Sequence, residues 1–178
     1  MKERKELPDL DLIRSMLEYD AITGNFFWKE RPENMFPGKR HCTTWNKRFS
    51  GKRALCTQHH AGYLYGSIFE SNYSAHRLAW YISSGKIPDE IDHINGDKRD
   101  NRLCNLRNVD RKENCKNIAV RKTSRSGVQG VRWDAKNKKW EVRISTKHIG
   151  RFVAFDEAVA ARKAAEIEFG YHPNHGRK

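Results

Sequence analysis

The residues with the clearest chemical potential lie in one polar stretch, EIDHINGDKRDNRLCNLRNVDRKENCKN, which covers residues 90–117. It holds one Asp-His pair, Asp92 and His93, and six asparagines: Asn95, Asn101, Asn105, Asn108, Asn114 and Asn117. Carboxylate and amide oxygens are ligands for hard cations such as Mg²⁺ or Mn²⁺, unlike the thiolates of a typical zinc site. Histidine, whose pKa ordinarily lies near neutrality, is suited to general-base work. The stretch therefore has the side chains for metal-assisted proton transfer.

The spacing of these residues favours a shared site. Asn105 follows His93 by 12 residues and Asn114 follows it by 21, so a strand end, its hairpin partner and a following helix would bring them together. Asn105 would then orient the His93 ring, while Asp92 and Asn114 would bind one cation that waters and a substrate phosphate complete. Asp92 and His93 can serve one site only if the strand ends or bends there, because adjacent strand residues point to opposite faces. The alternative is a surface turn, where Asn, Asp and Gly also gather.

The elements that must position these residues can be predicted from the local patterns. Residues 91–93 end one strand, residues 94–102 form a loop with Asn-Gly turn chemistry, and residues 103–109 form a second strand. Asp110 is predicted to cap a following helix, with Glu113 three residues on. Further upstream the predictions are a helix over 9–17, an aromatic strand near 25–30, a loop over 31–53, and a hairpin over 62–74 that leads into a helix ending at Gly85.

The whole chain is basic. Its 178 residues carry a net charge of +13 and a pI of about 9.8, which favours a polyanionic partner: nucleic acid first, an anionic membrane second. No apolar run is long enough to span a membrane, and the first residues are too charged for a signal peptide, so we expect a soluble, cytoplasmic protein. The four cysteines form no Cys-x-x-Cys pair, which argues against disulfides and leaves a four-cysteine zinc site as a minor alternative.

Charge and composition predict two domains. Residues 1–119 hold 21 Lys/Arg and 16 Asp/Glu, whereas residues 120–178 hold 14 and 6. We predict a first domain over 1–119, a basic linker over 120–127 and a second domain over 128–178. The second domain is predicted to be a three-stranded antiparallel sheet packed on one helix, which gives the chain an α+β fold overall.

An arginine row is predicted on the outer face of that second sheet. Arg132 and Arg143 would lie side by side across the sheet, with Arg151 extending the row, while Val131 and Trp133 face the core. Arginines on an exposed sheet suit bidentate pairing with guanine in the major groove or contact with phosphates. The alternative is an ordinary solvated charged face.

The first half resembles a known enzyme family. The segment from Ile91 to Asn117 is similar to the HNH nuclease motif of phage homing endonucleases, and LEYDAITGNFFWKE, AGYLYGSI and SAHRLAWYISSGKIPDEIDH extend the likeness over most of residues 10–117. The resemblance implies a ββα-metal fold, with His93 as the general base, Asn105 as the residue that positions it, and Asp92 and Asn114 as the metal ligands. It also suggests that Arg77, in the recurring His-Arg pair, contacts DNA phosphate.

The second half resembles the APETALA/ethylene-response-factor DNA-binding domain. The similar pieces are SGVQGVRWDAKNKKWEVRI, IGRF and DEAVAARKAAEIEFG, and Ala154 stands where relatives place a helix-capping threonine. The resemblance implies that the sheet enters the major groove, with Arg132 as the best-matched contact residue.

Together these observations predict a metal-dependent DNA endonuclease of the homing type. One divalent cation, Mg²⁺ or Mn²⁺, would be bound in each active site, and a monomer would nick one strand of duplex DNA to leave 3′-hydroxyl and 5′-phosphate ends. Two alternatives stay open: a non-catalytic DNA-binding regulator with a relic nuclease domain, and a structural RNA- or virion-associated protein.

Overall fold

The computed structural model describes residues 7–121 and 123–177 and shows a mixed α and β chain with small antiparallel sheets. The chain divides into two compact units, one up to Asp110 and one from Arg111 onward. No helix in the described residues has the length and apolar character needed to cross a membrane.

The first unit is built from short strands around two longer helices. Its sheets are β1-β2-β3, β4-β5-β6 and the hairpin β7-β8, all antiparallel. In chain order its elements are α1 (Leu10–Met16), β1 (Leu17–Asp20), β2 (Asn25–Trp28), α2 (Lys39–Phe49), β3 (Arg53–Ala54), β4 (Thr57–Gln58), β5 (Leu64–Ile68), β6 (Ser71–Ser74), α3 (Ala75–Ser84), β7 (Glu90–His93) and β8 (Leu106–Val109).

One hydrophobic core joins α1 and α3 to strands β1, β2, β3, β5, β7 and β8. Helix α1 starts at Asp9, whose carboxylate accepts hydrogen bonds from the backbone N–H groups of Asp11 and Leu12 and so caps the helix. Its inner face packs on α3, which ends at Gly85 in the left-handed conformation (φ 70°), as the sequence predicts. The side chains that fill this core are Ile13, Met16, Leu17, Phe26, Ala54, Leu55, Ile68, Ala75, Leu78, Ala79, Tyr81, Ile91 and Leu106.

The prediction of a loop over residues 31–53 is wrong for its central part, because α2 occupies Lys39–Phe49. The inner face of this helix is too polar to show a clear apolar period. Asn46 exchanges two hydrogen bonds with the backbone of Arg31, at 3.0 and 2.8 Å, and the Cys42 thiol also points at the Arg31 carbonyl oxygen. The Trp45 ring, 5.7 Å from that of Trp28, completes the contact.

The second unit contains α4 (Arg111–Asn114), β9 (Val131–Asp134), β10 (Lys139–Ile144), β11 (Lys147–Phe152) and α5 (Phe155–Glu168). Its strands form an antiparallel sheet in the order β11-β10-β9, and α5 packs on that sheet. Residues 116–120 belong to this unit because they bond the C-terminal segment: Val120 donates to the Arg177 carbonyl and Gly176 donates to that of Ile118. The division therefore falls earlier than residue 119, where we predict the boundary.

The core of the second unit is small and partly polar. Val131, Val142 and Ala158 are its buried apolar centre. Alternation along the strands predicts this position for the two valines. Trp133, predicted to face the core, is half exposed and instead packs edge-on against Trp140 at 5.2 Å. Beside this centre lies a buried polar cluster in which the Arg162 guanidinium contacts Glu166, His175 and the carbonyl of Arg143.

Candidate active site

The β7-β8 hairpin presents Asp92 and His93 at the end of a strand. Asp92 pairs with Arg107 in the antiparallel register and His93 pairs with Leu106. The strand stops after His93, where the chain turns and the Gly96 N–H donates to the His93 carbonyl oxygen at 2.8 Å. A strand that ends at this point meets the condition under which two adjacent side chains can serve one site. Both side chains are nearly fully buried.

The asparagine beside the His93 ring is Asn101. Its Oδ1 lies 3.2 Å from His93 Nε2, and Asn101 is only 1% exposed. Because a carboxamide oxygen can only accept, this contact places the proton of a neutral His93 on Nε2 and leaves the basic lone pair on Nδ1. Burial lowers the pKa of His93, while the Asn101 contact and the charge of Asp92 act in the opposite direction. The net effect keeps this imidazole neutral, which is the form that a general base requires.

Asn101 is held in place by residues that lie far from it in the sequence. The Tyr19 hydroxyl, on β1, donates to the Asn101 carbonyl oxygen at 2.7 Å, and the Leu103 N–H donates to the carbonyl of Ala21 at 3.1 Å. Gly24 packs so tightly here that a Cβ atom on it would lie 2.5 Å from the backbone nitrogen of Arg102. The β1-β2 hairpin therefore buttresses the loop that carries Asn101. No feature of the local sequence separates Asn101 from the neighbouring asparagines, so the sequence predicts only that it lies in the loop.

Asn105, predicted to orient His93, bonds the loop instead. Its Oδ1 accepts from the Asn95 N–H at 2.9 Å, and its Nδ2 donates to Asn95 Oδ1 at 3.0 Å and to the Asp100 carbonyl at 2.8 Å. These three bonds close the turn between the two strands. Asn105 thus stabilises the loop that carries Asn101, and it acts on the His93 ring only through Asn101.

Asp92 has a partner that the sequence did not suggest. Arg107, directly across the hairpin, donates from Nε at 2.9 Å and from Nη2 at 2.7 Å to Asp92 Oδ2. The guanidinium is about one third exposed, whereas the carboxylate is nearly buried. The register of the hairpin, which places residues 92 and 107 opposite each other, brings these two side chains together.

Two aromatic rings complete the surroundings of His93. The ring of His76, on α3, lies 5.3 Å from that of His93 in an edge-on arrangement, and Tyr63 lies 4.8 Å from His76 and 5.9 Å from His93. His76 is 8% exposed and its Nδ1 is buried with no hydrogen-bond partner among the described residues. Burial, followed by the charges of His93 and Arg77, lowers the pKa of His76 to about 3. His76 is therefore a neutral neighbour of the candidate base at neutral and mildly acidic pH.

The residues predicted to bind a cation lie in different units. Asp92 is on β7, while Asn114 is the last residue of α4 and is half-buried in the second unit. The donor set, one carboxylate and one amide oxygen, is of the type that Mg²⁺ or Mn²⁺ accepts. No cluster of three or more His, Cys, Asp or Glu side chains suited to a metal occurs among the described residues, and Cys42, Cys56, Cys104 and Cys115 are free thiols.

The arginines predicted to contact DNA have protein partners in the structure. Arg77 donates to the carbonyl oxygens of Pro88 and Asp89, at 2.9 and 3.2 Å, and so ties α3 to the segment before β7. On the outer face of the second sheet, Arg132 and Arg143 flank Glu141, and Arg151 lies 3.4 Å from an Asp134 oxygen. These last three side chains remain substantially exposed, at 70, 53 and 46%.

Comparison with known proteins bears on the segment just described. Residues 73–116 match an HNH endonuclease family. The matched segment runs from the strand before α3 through His93 and Asn101 to α4, so it contains the whole His93 environment except Tyr63 and the buttressing hairpin. The chain is also similar to Protein 3.8 of Escherichia phage T7, with 32% identity over 74 residues, which are 40% of this chain. The matched part covers 61% of the phage protein. No solved structure gave a significant match.

Proposed function

We propose that the protein is a metal-dependent endonuclease that hydrolyses phosphodiester bonds in double-stranded DNA, in the manner of homing enzymes that nick. The observation that carries the proposal is the buried His93 inside the segment that matches the HNH endonuclease family, with Nε2 held against Asn101. The basic composition of the chain supports a nucleic-acid substrate.

In the proposed reaction His93 acts as the general base. The neutral ring removes a proton from a water molecule through Nδ1, and the resulting nucleophile attacks phosphorus opposite the leaving 3′ oxygen, which gives 3′-hydroxyl and 5′-phosphate ends. Asn101 keeps the ring in one orientation and one tautomer. Asn105 acts one step further away, because its three hydrogen bonds hold the turn that carries Asn101.

Asp92 and Asn114 are the residues that we propose to hold one divalent cation, Mg²⁺ or Mn²⁺. When bound, such a cation would supply positive charge that stabilises the pentacoordinate transition state and the leaving oxygen. Asp92 would then exchange part of its contact with Arg107 for the cation, because both draw on the same carboxylate. The partly exposed Arg107 guanidinium can turn toward a DNA phosphate when Asp92 releases it.

We further propose that the second unit grips DNA through the exposed face of its sheet. Arg132, Arg143 and Arg151 lie on that face, and Glu141 and Asp134 keep their guanidinium groups ordered before DNA arrives. Preordered arginines lose less conformational freedom on binding than free ones do. A monomer with one such site nicks a single strand, whereas a double-strand break needs two sites.

A plasmid assay tests the catalytic proposal. Supercoiled plasmid is incubated with wild-type protein and Mg²⁺ or Mn²⁺, with EDTA as the metal-free control, and nicked circles are quantified on a gel. We expect nicking that depends on the metal and falls by at least about a hundredfold in His93→Ala, since general bases contribute 10²–10⁴-fold. A wild type that leaves the plasmid supercoiled while still binding it would instead support the non-catalytic regulator.

A further inference from the structure

The first unit has an exposed basic surface that the proposed chemistry does not use. Between residues 34 and 69 the chain holds six Lys/Arg and no Asp or Glu, whereas the rest of residues 1–110 holds twelve Lys/Arg and fifteen Asp/Glu. All of the net positive charge of the first unit therefore comes from this segment. None of the six cations pairs with a carboxylate within the described part of the chain, and the side chains of all six are exposed: Lys39, Arg40, Lys47, Arg48, Lys52 and Arg53.

Four of these six cations lie on helix α2, outside the face of the helix that packs inward. Its inner face holds Cys42, Trp45, Asn46 and Phe49, which contact Arg31 and the neighbouring aromatic rings; the Arg31 guanidinium lies 4.0 Å from the centre of the Trp45 ring. The residues of α2 outside this inner face are all exposed, and apart from His41 they form what we call the α2 basic face: Lys39, Arg40, Thr43, Thr44, Lys47 and Arg48. Every one of them can donate a hydrogen bond, and none is acidic.

The charge at the start of α2 works against the helix itself. Lys39 and Arg40 occupy the first turn, no acidic residue accompanies them, and Gly38 supplies no side-chain cap. The positive end of the helix dipole favours anions at that turn and disfavours cations. Folding therefore gives no reason for this arrangement, whereas a bound polyanion would relieve it.

We propose that the α2 basic face binds the phosphate backbone of double-stranded DNA. The two pairs of cations are separated by eight residues, roughly 12 Å along the helix axis, a distance that spans several phosphates of one strand. The threonine hydroxyls between them add neutral donors of the kind that commonly contact phosphate. Backbone contacts of this type position a protein on DNA without reading its sequence.

DNA fits this face better than a lipid surface does. A helix that lies on a membrane inserts an apolar face between the headgroups. The apolar residues of α2, Trp45 and Phe49, are instead packed inward against Trp28, Phe36 and Arg31. The proposal deepens the proposed function, because it rests on DNA as the substrate. It gives the first unit a DNA-binding surface of its own, separate from the arginines of the second sheet.

The test compares two charge-matched double variants of the full chain. Lys47→Gln/Arg48→Gln removes half of the cations on the α2 basic face, while Arg14→Gln/Lys86→Gln removes two exposed cations from the acid-containing remainder of the first unit. Binding to a fluorescent duplex of arbitrary sequence is measured by anisotropy at several KCl concentrations in EDTA, and circular dichroism confirms that each variant is folded. Anionic-lipid vesicles serve as the alternative polyanion.

We expect the slope of log K against log salt to fall by about 1.8 in the α2 variant, since each phosphate contact contributes about 0.9, and to stay unchanged in the control. Equal slopes in wild type and the α2 variant would overturn the proposal. So would an equal fall in the control, because the effect would then be one of net charge. Loss of vesicle binding with an unchanged DNA slope would assign the face to a membrane and overturn it too. Because EDTA removes the divalent cation that nicking requires, this result is independent of nicking, and either proposal can fail alone.

Discussion

The buried imidazole of His76 makes a prediction about stability that is independent of any activity. Its folded-state pKa is about 3, well below the value near 6.5 that an unfolded chain gives it. The native protein therefore binds fewer protons than the unfolded chain does at mildly acidic pH. The stability associated with the neutral ring is present above pH 6.5 and is lost progressively as the pH falls from 6.5 toward 3.

The expected size follows from proton linkage. Between pH 7 and pH 5 the unfolded chain takes up a proton at this histidine and the folded chain does not, which lowers the free energy of unfolding by about 2 kcal/mol. His76→Phe keeps a planar ring between Tyr63 and His93 but has no titratable nitrogen. We therefore expect the variant to lose about 2 kcal/mol less than wild type over that interval.

Urea denaturation followed by circular dichroism at pH 7, 6 and 5 measures the difference. Leu78→Val is the matched control, because Leu78 lies fully buried on the same helix and its shortening costs about 1 kcal/mol at every pH. The control should lower the whole curve without changing its dependence on pH. If wild type and His76→Phe lose the same stability between pH 7 and pH 5, His76 is not the buried neutral ring described above, and the packing of α3 against β7 would need revision.

Three further predictions concern the support of the site and the outer sheet. Gly24→Ala should lower the free energy of unfolding, measured by thermal denaturation, by about 1–3 kcal/mol, because the residue has φ 73° and its new Cβ would clash with the backbone at Arg102. Nicking measured below the melting temperature should fall as well, and unchanged nicking would contradict the buttressing role. Arg107→Met should destabilise by about 1–3 kcal/mol in urea because it removes the guanidinium that donates two hydrogen bonds to the buried Asp92 carboxylate, and adding Asp92→Asn should recover most of that loss; additive effects of the two changes would show that the pair does not interact. Arg132→Gln should lower the slope of log K for duplex DNA against log salt by about 0.9 if this arginine contacts a phosphate, and an unchanged slope would leave it as a partner of Glu141 only.

Local patterns were enough to predict the strand end at His93 and the left-handed Gly85 at the end of α3. In both cases the decisive signal, a turn dipeptide or a glycine, lies within a few residues of the feature it controls. The roles of Asn101 and Asn105 could not be separated in this way. The bond that fixes Asn101 comes from Tyr19, 82 residues away, and local periodicity carries no information about such a contact. Helix α2 was missed because its inward face relies on Cys42 and Asn46 as well as aromatic rings.

The same long-range contacts hold the His93 ring through groups of the protein itself. His93 is fixed by an asparagine that a hairpin holds from behind, and a second buried imidazole fills the space at its side. A base held in one tautomer and one orientation needs little rearrangement when substrate arrives. Phosphate contacts on α2 and on the outer sheet, in contrast, would be made by exposed side chains that lie outside this buried network. We therefore expect substitutions around Asn101 to lower the rate of nicking with little effect on DNA affinity, and substitutions on the basic surfaces to lower DNA affinity first. Measuring the Kd for DNA and the single-turnover rate of nicking for Asn101→Ala and Lys47→Gln/Arg48→Gln would test this separation. A parallel fall of both quantities in both variants would contradict it.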